Sequence, residues 1–143
     1  MTGDLGPGAL RLTIAPGLLE RILDHLKLAY PNEGCGLVGG RNGVAERLIP
    51  MQNAAASPLR YAMDPAELVQ AFRSLRESGD DLAAICHSHP SGPAYPSALD
   101  IAESLYPNAV QIIVSLTRLE HPVVRGFRIV GGRVLDVELV AMV

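Results

Sequence analysis

The nine residues LAAICHSHP (82–90) constrain this chain more than any others. LAAIC is apolar or small throughout and follows a Ser78-Gly79-Asp80 stop, so it reads as a buried strand. If that strand continues through HSH, His87 and His89 point to the same side, because side chains alternate along a strand. Pro90 then ends regular pairing. Two imidazoles are therefore expected where a buried strand gives way to a loop, a common place for functional side chains.

The remaining elements can be read around this strand. LRLTI (10–14) alternates and reads as a first strand. Leu18, Leu19, Ile22, Leu23, Leu26 and Ala29 then recur at three- and four-residue intervals, making one apolar helix face that stops at Tyr30-Pro31-Asn32. GCGLVGG (34–40) and VAERLIP (44–50) read as an antiparallel pair joined by a Gly-rich turn. MQNAAASPLR is a loop. DPAE (64–67) starts a second helix, with Asp64 as cap, Pro65 at the first position and Glu67 reaching back to complete a capping box. Its expected apolar face is Leu68, Val69, Phe72 and Leu75. SALDIAESL (97–105) reads as a short helix, and AVQIIVSL, VVRGFRIV and RVLDVEL read as three final strands. Interleaved helices with tight hairpins predict an α/β fold built on a mixed sheet.

Length and charge narrow the function. A chain of 143 residues suits one domain, spanning 1–143, with a single core. With two Phe, four Tyr and no Trp, that core must come from Leu, Val, Ile and Ala. A net charge of −3 gives no basic footprint for nucleic acid. MTGDLGPGAL reads as neither a secretory signal nor a membrane anchor, and no apolar stretch reaches transmembrane length. The expected location is the cytoplasm, with no membrane partner. Cys35 and Cys86 do not form a CxxC pair and read as small buried apolar residues. His25, on the first helix, and His121, before Pro122, read as surface residues.

His87 and His89 are spaced so that both can reach one metal ion, and zinc accepts such nitrogen ligands. Asp100 could add a carboxylate oxygen if the 90–96 loop folds back. Three protein ligands and one water is the arrangement of a catalytic zinc. Each residue also has a plainer reading. An HxH pair can simply be solvated, and SALD is a serviceable capping box with Ser97 at the cap and Asp100 three residues on. A glutamate in a turn before a strand, such as Glu33, is ordinarily exposed.

Taken together, His87-x-His89, seven residues, Ser97, two residues and Asp100 resemble the JAMM signature of the MPN+ (Mov34/MPN/PAD-1) zinc metallopeptidases. PNEGCGLVGG resembles the upstream segment that carries the family's glutamate, which matches Glu33. The order of elements is similar over nearly the whole chain, and the short single domain resembles prokaryotic members. The resemblance implies a mixed, mostly antiparallel curved sheet flanked by helices, the MPN fold, with a cytidine-deaminase-like architecture. It implies one Zn2+ per chain held by His87, His89 and Asp100, lowering the pKa of a bound water toward ~7. Glu33 would move the water's proton to the leaving amine, and Ser97 would donate to the oxyanion. The implied substrate is a peptide or isopeptide bond after the Gly-Gly tail of a ubiquitin-like protein, such as a sulfur carrier.

The motifs argue against deamination: zinc deaminases use H-x-E and P-C-x-x-C, and neither is present. A non-catalytic MPN scaffold or protein-interaction module is the alternative, although such relatives lack ligand residues that this chain retains. The sequence leaves open whether the chain forms a homodimer.

Overall fold

Seven strands and three helices alternate along residues 10–143, which are the residues the computed structural model describes. Nearly all of the N-terminal stretch read above as neither leader nor anchor lies outside them. The strands are β1 (Arg11–Ile14), β2 (Cys35–Arg41), β3 (Val44–Met51), β4 (Asp81–His89), β5 (Val110–Ser115), β6 (Val123–Val130) and β7 (Arg133–Ala141). The helices are α1 (Leu18–Leu28), α2 (Pro65–Ser78) and α3 (Ala98–Ala102).

The sheet is mixed and mostly antiparallel, as expected. β2/β3, β2/β4, β5/β6 and β6/β7 pair antiparallel, whereas β1/β3, β1/β7 and β4/β5 pair parallel. In the order β1-β3-β2-β4-β5-β6-β7 it curves until β1 meets β7 and closes. β4 is flanked on both sides, by β2 and by β5. That position explains its long apolar run, because a central strand covered on both faces has no polar side to show.

The helices cover different faces. α1 buries Leu18, Ile22 and Leu26 in a core with Val38, Ala84, Cys86, Ile112 and Val114. Each such side chain contributes about 1.5–3 kcal/mol on leaving water. A second core on the other face of β4 joins Ile85 to Cys35, Leu37, Met51 and Ala71 of α2.

α2 starts as read, with the Asp64 carboxylate accepting the Glu67 amide at 3.0 Å, and ends at Gly79, whose φ of 73° favours glycine. Two details differ from the sequence reading. Glu67 does not complete a capping box; its carboxylate turns to the Gln52 amide at 3.2 Å and ties α2 to the loop after β3. Val69 is exposed, and Ala71 shares the buried face with Leu75, because α2 rests on the sheet along a stripe that small residues let close.

α3 is shorter than the predicted 97–105 helix. None of its residues is buried, and a short helix without a packed face gains too little to propagate. No helix among the described residues is long and apolar enough to cross a membrane.

Candidate active site

β4 carries two alternating sets of side chains to its C-terminal end. Ala84 and Cys86 face the α1 core, and Ile85 faces the α2 core. His87 and His89 continue the Ile85 face, while Ser88 falls on the other. Both histidines are buried. Beyond Pro90 the 90–96 loop does fold back. The Ser115 hydroxyl donates to the Gly92 carbonyl at 2.6 Å, and Tyr95 meets Phe127 edge to face at 5.3 Å under the Arg125 guanidinium. The loop thereby returns Asp100 to the two imidazoles.

Three ligand-type atoms converge there. His87 Nε2 and His89 Nε2 lie 3.1 Å apart, and Asp100 Oδ2 lies 3.2 Å from the first and 3.1 Å from the second. A tetrahedral zinc with ligands at 2.0–2.1 Å spaces them about 3.3 Å apart, so the triangle has the size of a zinc shell. The Pro93 carbonyl accepts from His89 Nδ1–H at 2.8 Å, which turns the Nε2 lone pair of neutral His89 into the triangle. Lone pairs of one sign crowded this closely require a cation between them, a metal ion or a proton. The residues present therefore fit the metal that the motif implies.

The electrostatics agree. Burial opposes the Asp100 charge, but the hydrogen bonds at His87, His89 and the Ser97 amide outweigh it and hold the carboxyl well below the usual range. Asp100 is thus anionic. Burial lowers the His87 pKa. Burial also works against protonated His89, yet its bonds to Asp100 and Pro93 raise its pKa overall.

Glu33 sits beside this triangle rather than in solvent. It is only 4% exposed, and its carboxylate and the two imidazole nitrogens lie within 4.8 Å of one another. Burial, opposed by His89 and aided by Asp100, raises its pKa to about 7. Its Oε1 has no hydrogen-bond partner. The site thus pairs a carboxyl held well below the usual range with one that burial raises to about 7, two environments that push neighbouring carboxyl groups apart.

Ser97 is exposed at the start of α3 and forms the capping box read from SALD. Its amide donates to Asp100 Oδ2 at 2.9 Å, and its Oγ accepts the Asp100 amide at 3.0 Å. That bond uses an Oγ lone pair and leaves the hydroxyl hydrogen available to another acceptor. The cap and the catalytic reading are compatible.

Residues 15–130 match the family described as prokaryotic homologs of the JAB domain. The chain belongs to that family. A relative in Thermus thermophilus, named as a probable TtuB-protein conjugate cleaving protease, is 47% identical over 100 residues, covering 69% of this chain and 67% of its own. The Mycobacterium bovis CysO-cysteine peptidase is 33% identical over 127 residues, covering 87% of each. Among solved structures, the solution structure of DSY2949 from Desulfitobacterium hafniense superposes with a TM-score of 0.83 at 36% identity, covering 92% of both chains. The JAMM/MPN+ resemblance read from the HxH motif is thus the family of the chain.

The two cysteines are buried and unpaired in this JAB domain. Burial pushes both thiols up to about 12, so neither offers a thiolate at neutral pH. His121 is exposed, as read. His25 is not a free surface residue: its ring nitrogen donates to the Cys35 carbonyl at 2.7 Å and pins α1 to the start of β2. Helical spacing could not reveal that bond, because its acceptor belongs to another element.

Sequence reasoning also passed over three residues around the site. Ser88 exchanges hydrogen bonds with Gly34, its Oγ accepting the Gly34 amide at 2.8 Å and its amide donating to the Gly34 carbonyl at 3.0 Å. Tyr61 packs its ring 4.8 Å from His87, whose buried Nδ1 has no hydrogen-bond partner. Asn53 donates to the Glu33 carbonyl at 3.0 Å. Within the HSH motif, Ser88 carried a signal: a polar residue on the buried face of a strand needs a partner.

Proposed function

We propose that the chain is a zinc-dependent JAMM-type peptidase that hydrolyses the bond following the Gly-Gly tail of a ubiquitin-like protein, one class of which is the sulfur carriers. The observation that carries this reading is the triangle of His87, His89 and Asp100 with a buried Glu33 beside it whose Oε1 has no hydrogen-bond partner. His87, His89 and Asp100 would hold one zinc ion per chain. When bound, the ion supplies Lewis acidity and makes water a competent nucleophile near neutral pH.

The other roles fall to the chain itself. Glu33, with a pKa near 7, accepts a proton from the attacking water as the new C–O bond forms. It returns that proton to the leaving nitrogen as the C–N bond breaks. The Ser97 hydroxyl, free to donate, stabilises the developing oxyanion. A groove of about 460 Å³ runs from Asp100 along Arg60, Tyr61, Met63, Leu68 and Tyr106, mostly apolar with a few polar groups. It suits the extended residues ahead of the scissile bond, where two glycines let the backbone pass close to the wall.

The names of two relatives support the substrate class, since one is named as a probable TtuB-protein conjugate cleaving protease and the other as a CysO-cysteine peptidase. Ubiquitin-like conjugates incubated with the protein, with and without chelator and read by intact mass, test the reaction. Cleavage should stop with chelator and return with zinc. Elemental analysis of a His87→Ala, His89→Ala protein should find zinc largely lost; full zinc content there would remove both residues from the metal site.

A further inference from the structure

One side chain, Asn53, bonds both to the Glu33 backbone and to the backbone of Arg60 in the wall of the groove. The Asn53 carboxamide bonds only to main chain. Its Nδ2 donates to the carbonyls of Glu33 and Arg60, each at 3.0 Å, and more weakly to Ser57 at 3.4 Å. Its Oδ1 accepts the amides of Ala55 at 3.0 Å and Ala62 at 3.1 Å. Both donors and both lone pairs are used, so the side chain has one workable orientation. Two main-chain bonds reinforce it: Glu33 donates to the Ser57 carbonyl at 2.9 Å, and Ala54 to the Ala62 carbonyl at 2.8 Å.

Residues at the far end of this loop touch whatever fills the groove. Arg60, Tyr61 and Ala62 line it beside Asp100, and the Tyr61 ring also rests on His87. At its side-chain end Glu33 has an oxygen without a partner. Its placement depends on where its backbone is held, and Asn53 holds it to the groove wall.

We propose that Asn53 is a positioning residue that couples the groove to the base: seating the substrate tail against residues 60–62 and aligning Glu33 are one event. Binding energy from residues remote from the scissile bond is thereby expressed in turnover rather than only in affinity. This rests on the functional reading above, in which Glu33 is the base and the groove takes the tail.

Two anilides with the same scissile bond test it: acetyl-Gly-Gly-anilide, and one carrying Ala-Leu-Ala-Leu ahead of the two glycines. In the wild type the longer acyl chain should raise kcat as well as lower KM. In Asn53→Asp, which keeps an acceptor for the Ala55 and Ala62 amides but loses both donors, the kcat ratio of long to short substrate should collapse toward one. The fall for the long substrate should be about 10–100-fold, the scale of a small misplacement of a catalytic group. Zinc content should stay at the wild-type level. Asn53→Ser, whose hydroxyl can keep the local turn but cannot reach Glu33, should behave alike. An unchanged ratio in folded variants overturns the proposal, and failure of both to fold makes Asn53 a folding residue and overturns it too.

A second readout needs no turnover. The free acid acetyl-Ala-Leu-Ala-Leu-Gly-Gly is titrated into zinc-loaded protein while hydrogen exchange at the Glu33 amide is followed. Saturation should slow exchange in the wild type and leave it unchanged in Asn53→Asp. If this coupling appears while neither the anilides nor the ubiquitin-like conjugates are cut, the hydrolase reading fails and the link from groove to Glu33 through Asn53 stands. Equal slowing in both proteins, no slowing in the wild type, or no binding overturns the role of Asn53.

Discussion

The two carboxyl groups of the site differ because of a few atoms around each. Asp100 Oδ2 meets two imidazoles and the Ser97 amide, whereas Glu33 Oε1 meets nothing that can donate to it. The sharpest test is Glu33→Gln, which nearly preserves shape but cannot accept a proton. It should fold, retain zinc and lose ~10²–10⁴ in turnover, the usual worth of general acid–base catalysis. Equal turnover would leave Glu33 a buried bystander. Ser97→Ala separates its cap from the oxyanion role proposed for it. Loss of the cap alone lowers stability by roughly 0.5–2 kcal/mol. Loss of an oxyanion donor lowers turnover by ~10²–10³ with zinc still bound. Melting and turnover on one preparation distinguish them, and a lowered melting point with unchanged turnover would leave Ser97 a cap only.

At the scale of elements, the site depends on β4 presenting different chemistry on its two faces. His87 and His89 project toward Asp100, and Ser88 between them clamps the Gly34 peptide that follows Glu33. Gly34 cannot be replaced easily, since a Cβ there would lie 2.9 Å from the Leu26 carbonyl of α1. The Glu33–Gly34 segment is thus trapped between α1 and β4. Ser88→Ala leaves the Gly34 amide buried without an acceptor, which should cost about 1–3 kcal/mol in a denaturant titration. Ser88→Thr keeps the hydroxyl and should recover most of that loss. Equal stability of the Ala variant and the wild type would show that the bond is replaceable.

For the whole molecule, burying Glu33 links folding to pH. Its folded pKa, about 7, lies above the ordinary 4.5, so the folded state keeps a proton that the unfolded state releases. The sign follows: the stability is fully present below about pH 4.5 and is lost as pH rises through 7. Comparing metal-free wild type with metal-free Glu33→Gln reads the linkage that depends on this carboxyl, including its attraction to His89. The pH-dependent part of their difference should be smallest below about pH 4.5. By pH 8 the wild type should be less stable relative to the Gln variant by up to about 3 kcal/mol, since each pKa unit is worth 1.36 kcal/mol. Urea titrations at both pH values measure it. A pH-independent difference would mean that the folded-state carboxyl titrates normally.

Local patterns sufficed wherever one segment carries its own instruction. LAAIC had to be a buried strand, DPAE had to begin a helix at Asp64, and HSH had to turn both imidazoles one way because strand periodicity is two. The resemblance to the JAMM signature, carried by the HxH, Ser97 and Asp100 pattern and by the PNEGCGLVGG segment, grouped Glu33, His87, His89, Ser97 and Asp100 before any distance was available. Closure of the sheet through β1 and β7 was beyond the sequence, because strand neighbours are chosen by packing across the whole chain. The partners of Glu67 and His25 were beyond it too, since Gln52 and Cys35 are brought near by tertiary contacts. The same holds for Asn53, which in sequence is one polar residue in a loop. Only folding places its carboxamide against Glu33 on one side and Arg60 on the other, because hydrogen bonds to main chain depend on where backbones meet and not on which side chains they carry.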